Sequence, residues 1–218
     1  MDSKQPKRVK WEKLTERFFD RQPEIVAREL LGCRMIRRVR HDDRLVWIGG
    51  VIVETEAYLA DGDPASHSAR GRVTTTGKPM RHASMFGPPG RLYVYAIHAK
   101  HCLNWVTEPE GVGSAVLIRA MQPLWSIQTM RQYRGVQDER RLTSGPGMIC
   151  HAMDIDRSFD GLDALSAADW RMEKPPGDQS IEITVTPRIG ITRGADLPLR
   201  FFVGGNRFVS GPMKQHRR

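Results

Sequence analysis

Four side chains suited to acid–base chemistry or to stacking crowd one stretch of this chain, VIVETEAYLADGDPASHS at 51–68. Val51, Ile52 and Val53 read as a buried strand. Glu54, Glu56 and Tyr58 follow at alternate positions, and His67 lies nine residues beyond the tyrosine. Side chains alternate along an extended segment, so 47–58 is expected to put Val51, Val53, Thr55 and Ala57 on one face and Glu54, Glu56 and Tyr58 on the other. A carboxylate withdrawn from water must be paired or put to use. An arginine at a sheet edge accounts for one such glutamate; two of them, beside a phenol and an imidazole, point as readily to activation of a water molecule.

A second stretch, RLYVYAI at 91–97, extends the pattern. Tyr93 and Tyr95 share a face, with Leu92 and Val94 on the core side, and three of the four tyrosines in the chain lie in these two segments. Aromatic stripes ordinarily mean packing. Joined by His67, the three tyrosines could instead box a flat ring between their faces. A flat ring, a basic surface and a nearby carboxylate suggest a nucleobase and attack of water on its sugar carbon.

The remaining composition bounds this reading. The 218 residues suffice for one large domain with a core of its own. Thirty-four Lys and Arg against 25 Asp and Glu give a net charge of +9, which favours a polyanionic partner, nucleic acid before a membrane surface. Cys33, Cys102 and Cys150 are scattered, odd in number and without a CxxC, which suits a reducing compartment. No apolar run approaches the roughly 18 residues of a membrane span, and the N-terminus is unlike a secretory signal. The expectation is an intracellular protein, cytoplasmic or nuclear according to its host.

The elements that must position these residues follow from periodicity. Residues 1–16 read as a flexible basic arm, in which KQPKRVK resembles a nuclear address, and 17–218 as one α+β domain without a linker or repeat. Helices are expected over 23–32, ending at Gly32, from Leu124 to Arg134, from Pro146 onward, and over SAADWRM at 166–172. Strand-like runs occupy 33–39, 46–58, 91–98 and 114–121, with later strands in IEITVTPRIGI and LRFFVGG. Residues 60–90 show little periodicity, and so long an irregular span inside a domain is usually functional or disordered.

Three motifs fail. GRVTTTGKP resembles a phosphate-binding loop, but five residues separate Gly71 from Gly77 and Pro79 stands where a hydroxyl is needed. DIDRSFDGLDAL starts like a calcium loop, with Phe159 at the glycine position and Leu165 at the glutamate position. His98, His101 and Cys102 lack a second cluster at zinc spacing. No metal site and no cofactor is expected.

In order along the chain, VETEAY, MFGPPGRLYVY, HCLN, AVLIRAMQPL, LTSGPGMICHAMDID, RIGI and LRFFVGGNRFVS resemble the alkyladenine (3-methylpurine) DNA glycosylase family, from about Arg17 to Ser210. The resemblance implies a single domain around a curved, mainly antiparallel sheet with flanking helices. It implies a monomer that flips alkylated or deaminated purines out of double-stranded DNA and hydrolyses their N-glycosidic bond, without metal or cofactor. By position Glu56 matches the general base and Arg119 the residue that helps hold the attacking water. Tyr58 matches one wall of the base pocket, His67 with Tyr95 the other, and Asn104 the amide that excludes guanine. Glu54 is read as a structural ion pair. The chain departs from the family in YAIHAKHCLN, one residue shorter, with His98 where a DNA-intercalating tyrosine is expected. The rivals are a catalytically silent nucleic-acid binder on the same fold, which would need neither Glu56 nor Arg119, and an enzyme acting on modified RNA.

Overall fold

A computed structural model describes residues 10–177 and 180–212. Most of the expected basic arm, 1–9, and the end of the expected domain, 213–218, lie outside the described residues. Within the arm segment, Glu12–Lys13 forms a short strand, β1, and Leu14 is buried, so the fold reaches back before Arg17.

Two short helices follow β1, α1 (Glu16–Phe19) and α2 (Pro23–Glu29). Proline at the first helical position suits α2, because its missing N–H would be unpaired there in any case. Val26 and Ala27 of α2 and the following Leu30 are fully buried. Gly32, at φ +84°, turns the chain into β2 (Arg34–His41). The long strand β3 (Arg44–Tyr58) is followed by the irregular span, which contains 3-10 turns at His67–Arg70 and Ala83–Phe86 and an isolated bridge between Val73 and Pro79. Next come β4 (Leu92–Ile97), β5 (Lys100–Thr107), β6 (Ser114–Trp125), α3 (Ile127–Arg134) and α4 (Pro146–Ala152). The chain closes with β7 (Trp170–Lys174), β8 (Ile183–Thr186) and β9 (Arg200–Val203).

The strands form one open sheet in the order β1-β7-β2-β3-β6-β5-β4, and every pairing among the described residues is antiparallel. The fold class is α+β, as expected. β3 is its spine. One edge of its first part pairs with β2; further along, Glu54–Glu56 pair with β9, which carries β8. The main core lies on the helical face, where Ile52, Leu92, Val94, Leu103, Trp105, Val116 and Ile118 meet α2 and α4. The opposite face carries Tyr93, Val106 and Ala115, with Tyr58 and Tyr95 packed against them. The expected division of Tyr93 and Tyr95 from Leu92 and Val94 is therefore present.

Four expectations about elements are corrected. SAADWRM is not a helix: Trp170 and Met172 point into the core with exposed Arg171 between them, and pairing with β2 sets this period of two. The helix expected from Leu124 begins after Trp125, because β6 runs on to pair with β3. In IEITVTPRIGI only Ile183–Thr186 is strand, and Pro187, which has no N–H to donate, follows it. β5 was absent from the expected strands although it carries HCLN. Its connection to β4 is a two-residue turn, His98-Ala99, with both residues at positive φ (46° and 58°). That backbone suits a type I′ turn, usually announced by Asn or Gly, and neither is present.

Candidate active site

The simple alternation expected along β3 fails at Val53, and the site depends on that failure. Ile52 pairs with Met121 and Glu54 with Ala120, so Val53 is an extra residue on β3. Thr55 then pairs with Ile118, which makes Arg119 an extra residue on β6. Two β-bulges, one on each strand, cancel in register while re-aiming the side chains between them. Val53 leaves the core face to join Phe202, Phe208 and Val209. Ile52 and Ala57 keep to the helical core, and the Thr55 hydroxyl donates to the Ala27 carbonyl of α2 at 2.8 Å. Glu54, Glu56 and Arg119 are thereby gathered on the other face.

Arg119 lies between the two carboxylates, with Nε 3.1 Å from Glu54 Oε1 and Nη1 3.2 Å from Glu56 Oε1. Burial alone would weaken the charge on Arg119, but Glu56 and Glu54 outweigh it and raise its affinity for the proton. The glutamates differ in their other partners. Glu54 also accepts from Arg200 Nε at 2.6 Å and from the Ser210 backbone N–H at 2.7 Å. It is enclosed by structural donors. Glu56 accepts from the Ile189 N–H at 2.9 Å on Oε1 and from the Tyr58 hydroxyl at 3.0 Å on Oε2.

A buried ion pair sustains this arrangement from the far side. Arg188 donates to both oxygens of Asp63 at 2.6 and 2.7 Å, and to the Ala57 carbonyl at 3.0 Å. Burial opposes the Asp63 charge, yet Arg188 holds that carboxyl below its ordinary pKa. The Arg188 guanidinium lies 4.6 Å from the Tyr58 ring centroid, within the range of a cation–π contact. One face of Tyr58 is thus covered, and the ring also lines a cavity of about 280 Å³. Burial and the neighbouring Glu56 push the Tyr58 pKa well up, so the phenol remains a hydrogen-bond donor.

The same cavity is lined by His67, Tyr93, Tyr95, Asn104 and Arg119. It lies just under the roughly 300 Å³ at the lower end of small-molecule sites, which suits one bicyclic ring better than a larger ligand. His67 stands edge-on to Tyr95, with centroids 4.8 Å apart and planes at 77°. Its Nδ1 is 2.5 Å from the Tyr93 hydroxyl. Burial, with smaller effects of His82, Arg70 and Arg81, lowers the His67 pKa to about 4. With the imidazole neutral and burial keeping the Tyr93 phenol protonated, this contact is a hydrogen bond between two uncharged groups, either of which can be the donor. Asn104 is buried, and its Nδ2 donates to the Tyr93 carbonyl at 3.0 Å, so the amide is pinned to the hairpin that presents it.

Glu56, Tyr58, His67, Tyr95, Asn104 and Arg119 therefore converge, although they come from four strands and a loop. Glu56 lies behind the cavity wall, touching three lining residues. His98 stands apart, exposed in the β4–β5 turn; beside it Ile97 is both exposed and part of the cavity rim. The sequence reading did not select Arg188, Asp63, Arg200 or Ile189. RIGI and LRFFVGG carry part of the family resemblance, but nothing local to them or to Asp63 shows a role, since the partners lie more than a hundred residues away. Among the described residues, no three His, Cys, Asp or Glu side chains are grouped to hold a metal, and no helix is long and apolar enough to cross a membrane.

Residues 17–207 match the model of the methylpurine-DNA glycosylase family. A protein of Rhodopirellula baltica is 52% identical over the whole of this chain and 92% of its own length. Similar proteins of Rhodopseudomonas palustris (44% identical, 92% of each chain) and Methanoculleus marisnigri (43%, over 88% of this chain and 96% of its own) cover nearly as much. All three are provisionally named 3-methyladenine DNA glycosylases.

Proposed function

Because this chain belongs to the methylpurine-DNA glycosylase family, we propose that it acts as a monomer on double-stranded DNA, extruding alkylated or deaminated purines and hydrolysing their N-glycosidic bond. The observation that carries the mechanism is the environment of Glu56. A carboxylate offers about four acceptor sites, and Ile189 N–H, Arg119 and Tyr58 fill three. The remaining one, on the Oε2 edge, is the place for the nucleophile. Glu56 takes a proton from that water as its oxygen bonds to the sugar carbon. The electrons of the C–N bond leave with the purine, and an abasic site remains. The Glu56 charge also stabilises the positive charge that develops on the sugar.

Base selection falls to the aromatic side of the cavity. The open face of Tyr58 stacks on one side of the extruded ring, and His67 with Tyr95 bounds the other. An electron-rich enclosure favours cationic alkylpurines, which are also good leaving groups. The neutral His67 adds no repulsion to such a base. The Asn104 amide crowds the exocyclic amine of guanine. His98, with Ile97 beside it, occupies the gap left in the duplex. Extrusion costs a few kcal/mol, least for damaged or weakly paired bases, which contributes to selection.

The test is excision from DNA duplexes that each carry one candidate lesion. Release of 3-methyladenine or hypoxanthine with formation of an abasic site is expected. Binding without release of any purine would establish the silent-binder reading instead.

A further inference from the structure

The stretch that resembles a phosphate-binding loop without meeting its requirements, GRVTTTGKP, folds into a small exposed hairpin beside the pocket. Val73 pairs with Pro79, Met80 N–H donates to the Arg72 carbonyl at 2.9 Å, and Thr74 N–H donates to the Lys78 carbonyl at 2.7 Å. Its base is fastened to the pocket wall. Buried His82 has Nε2 2.8 Å from the Gly71 carbonyl, and its ring centroid is 5.7 Å from that of His67. From Ala69 to Arg81 every residue except Thr74 and Met80 is exposed, so the hairpin stands out from the body.

Its charge has one sign. No Asp or Glu occurs between Asp63 and Glu108, whereas Arg70, Arg72, Lys78 and Arg81 crowd into the hairpin and its base. All four are exposed, and none makes an ion pair or donates a side-chain hydrogen bond to a described residue. This contrasts with Arg119, Arg188 and Arg200, each committed to a carboxylate. Clustered cations left without acidic neighbours, on an arm that also exposes threonine hydroxyls, fit a row of phosphates.

We propose that the hairpin 72–80 is a backbone clamp, in which Arg72 and Lys78, supported by Arg70 and Arg81, hold phosphates of the substrate strand beside the extruded nucleotide. The assignment rests on the duplex-DNA reading above. It predicts contacts that position the strand and carry no sequence or lesion information.

The test compares the full-length protein with Arg72→Ser/Lys78→Ser, with the charge reversal Arg72→Glu/Lys78→Glu, and with Arg44→Ser, an exposed cation at the opposite end of β3. Binding to an undamaged duplex and to one carrying an abasic-site analogue is followed across a KCl series. Each phosphate no longer neutralised should lower the slope of log K against log salt by about 0.9, so the double serine variant should lose about 1.8. Affinity for both duplexes should fall by the same factor, further in the reversal, while Arg44→Ser leaves the slope in place. A slope equal to that of the wild type, or a fall confined to the damaged duplex, overturns the clamp. Base release by the wild type, scored alongside, separates the two readings: release with an unaltered slope removes the clamp alone, and a reduced slope without release removes the glycosylase reading.

Discussion

The Tyr58 hydroxyl donates to Glu56 Oε2 at 3.0 Å, so the ring that walls the cavity also fixes the carboxylate beneath it. Tyr58→Phe keeps the stacking face and removes only that donor. A hydrogen bond to a charged group contributes about 1.5–3 kcal/mol, which corresponds to roughly a ten- to hundredfold loss in the chemical step. Single-turnover excision should fall by that factor while affinity for damaged DNA changes little. An unaltered rate would show that Glu56 is oriented by Arg119 and Ile189 alone.

The two glutamates should respond differently to the same change. Glu56→Gln is expected to abolish base release, by about 100-fold or more, with damaged DNA still bound. Glu54→Gln removes the charge shared by Arg119 and Arg200 in a buried site. Breaking such a pair costs about 3–5 kcal/mol, or about 6–20 °C in Tm for a chain of this size. Thermal melts and excision rates on both variants decide the matter. Near wild-type release by Glu56→Gln would shift the base assignment to Glu54.

Asn104→Ser should admit guanine. The amide is held in place by the Tyr93 carbonyl, so it does not swing aside, and the shorter side chain leaves room for an exocyclic amine. New activity on alkylated or ordinary guanine, with discrimination reduced, is the expected result. Continued rejection of guanine would place selectivity in another part of the cavity.

His67 should remain neutral down to about pH 4. Burial disfavours its charged form in the folded protein, whereas the unfolded chain protonates it near the ordinary value of about 6.5. Between these values the unfolded state binds more protons, so the contribution of His67 to stability is complete above about pH 6.5 and declines as pH falls toward 4. NMR titration of the ring should give the low value directly. Melting curves of His67→Gln should flatten relative to wild type over this interval, and parallel curves would contradict the shift.

The residue types of the site and the strands that carry most of them were legible in the sequence, because Glu54, Glu56, Tyr58, Tyr93 and Tyr95 follow the local period of an extended chain. The same alternation showed β2, helical spacing of apolar residues showed α2, and the two together the fold class. Neither could show the bulges at Val53 and Arg119, whose extra residues exist only in the pairing of β3 with β6. Local pattern likewise missed β5 and misread 166–172. One strand is reached through a turn without glycine or asparagine, and the other takes its conformation from pairing with β2. Local pattern treats the two glutamates alike, and the family resemblance separates them by position only; the tertiary structure supplies the physical difference, since Arg200 and Ser210 enclose Glu54 while Ile189 and Tyr58 hold Glu56 at the cavity. A buried charge is defined by which groups replace its lost water, and here most of those groups arrive from the far end of the chain.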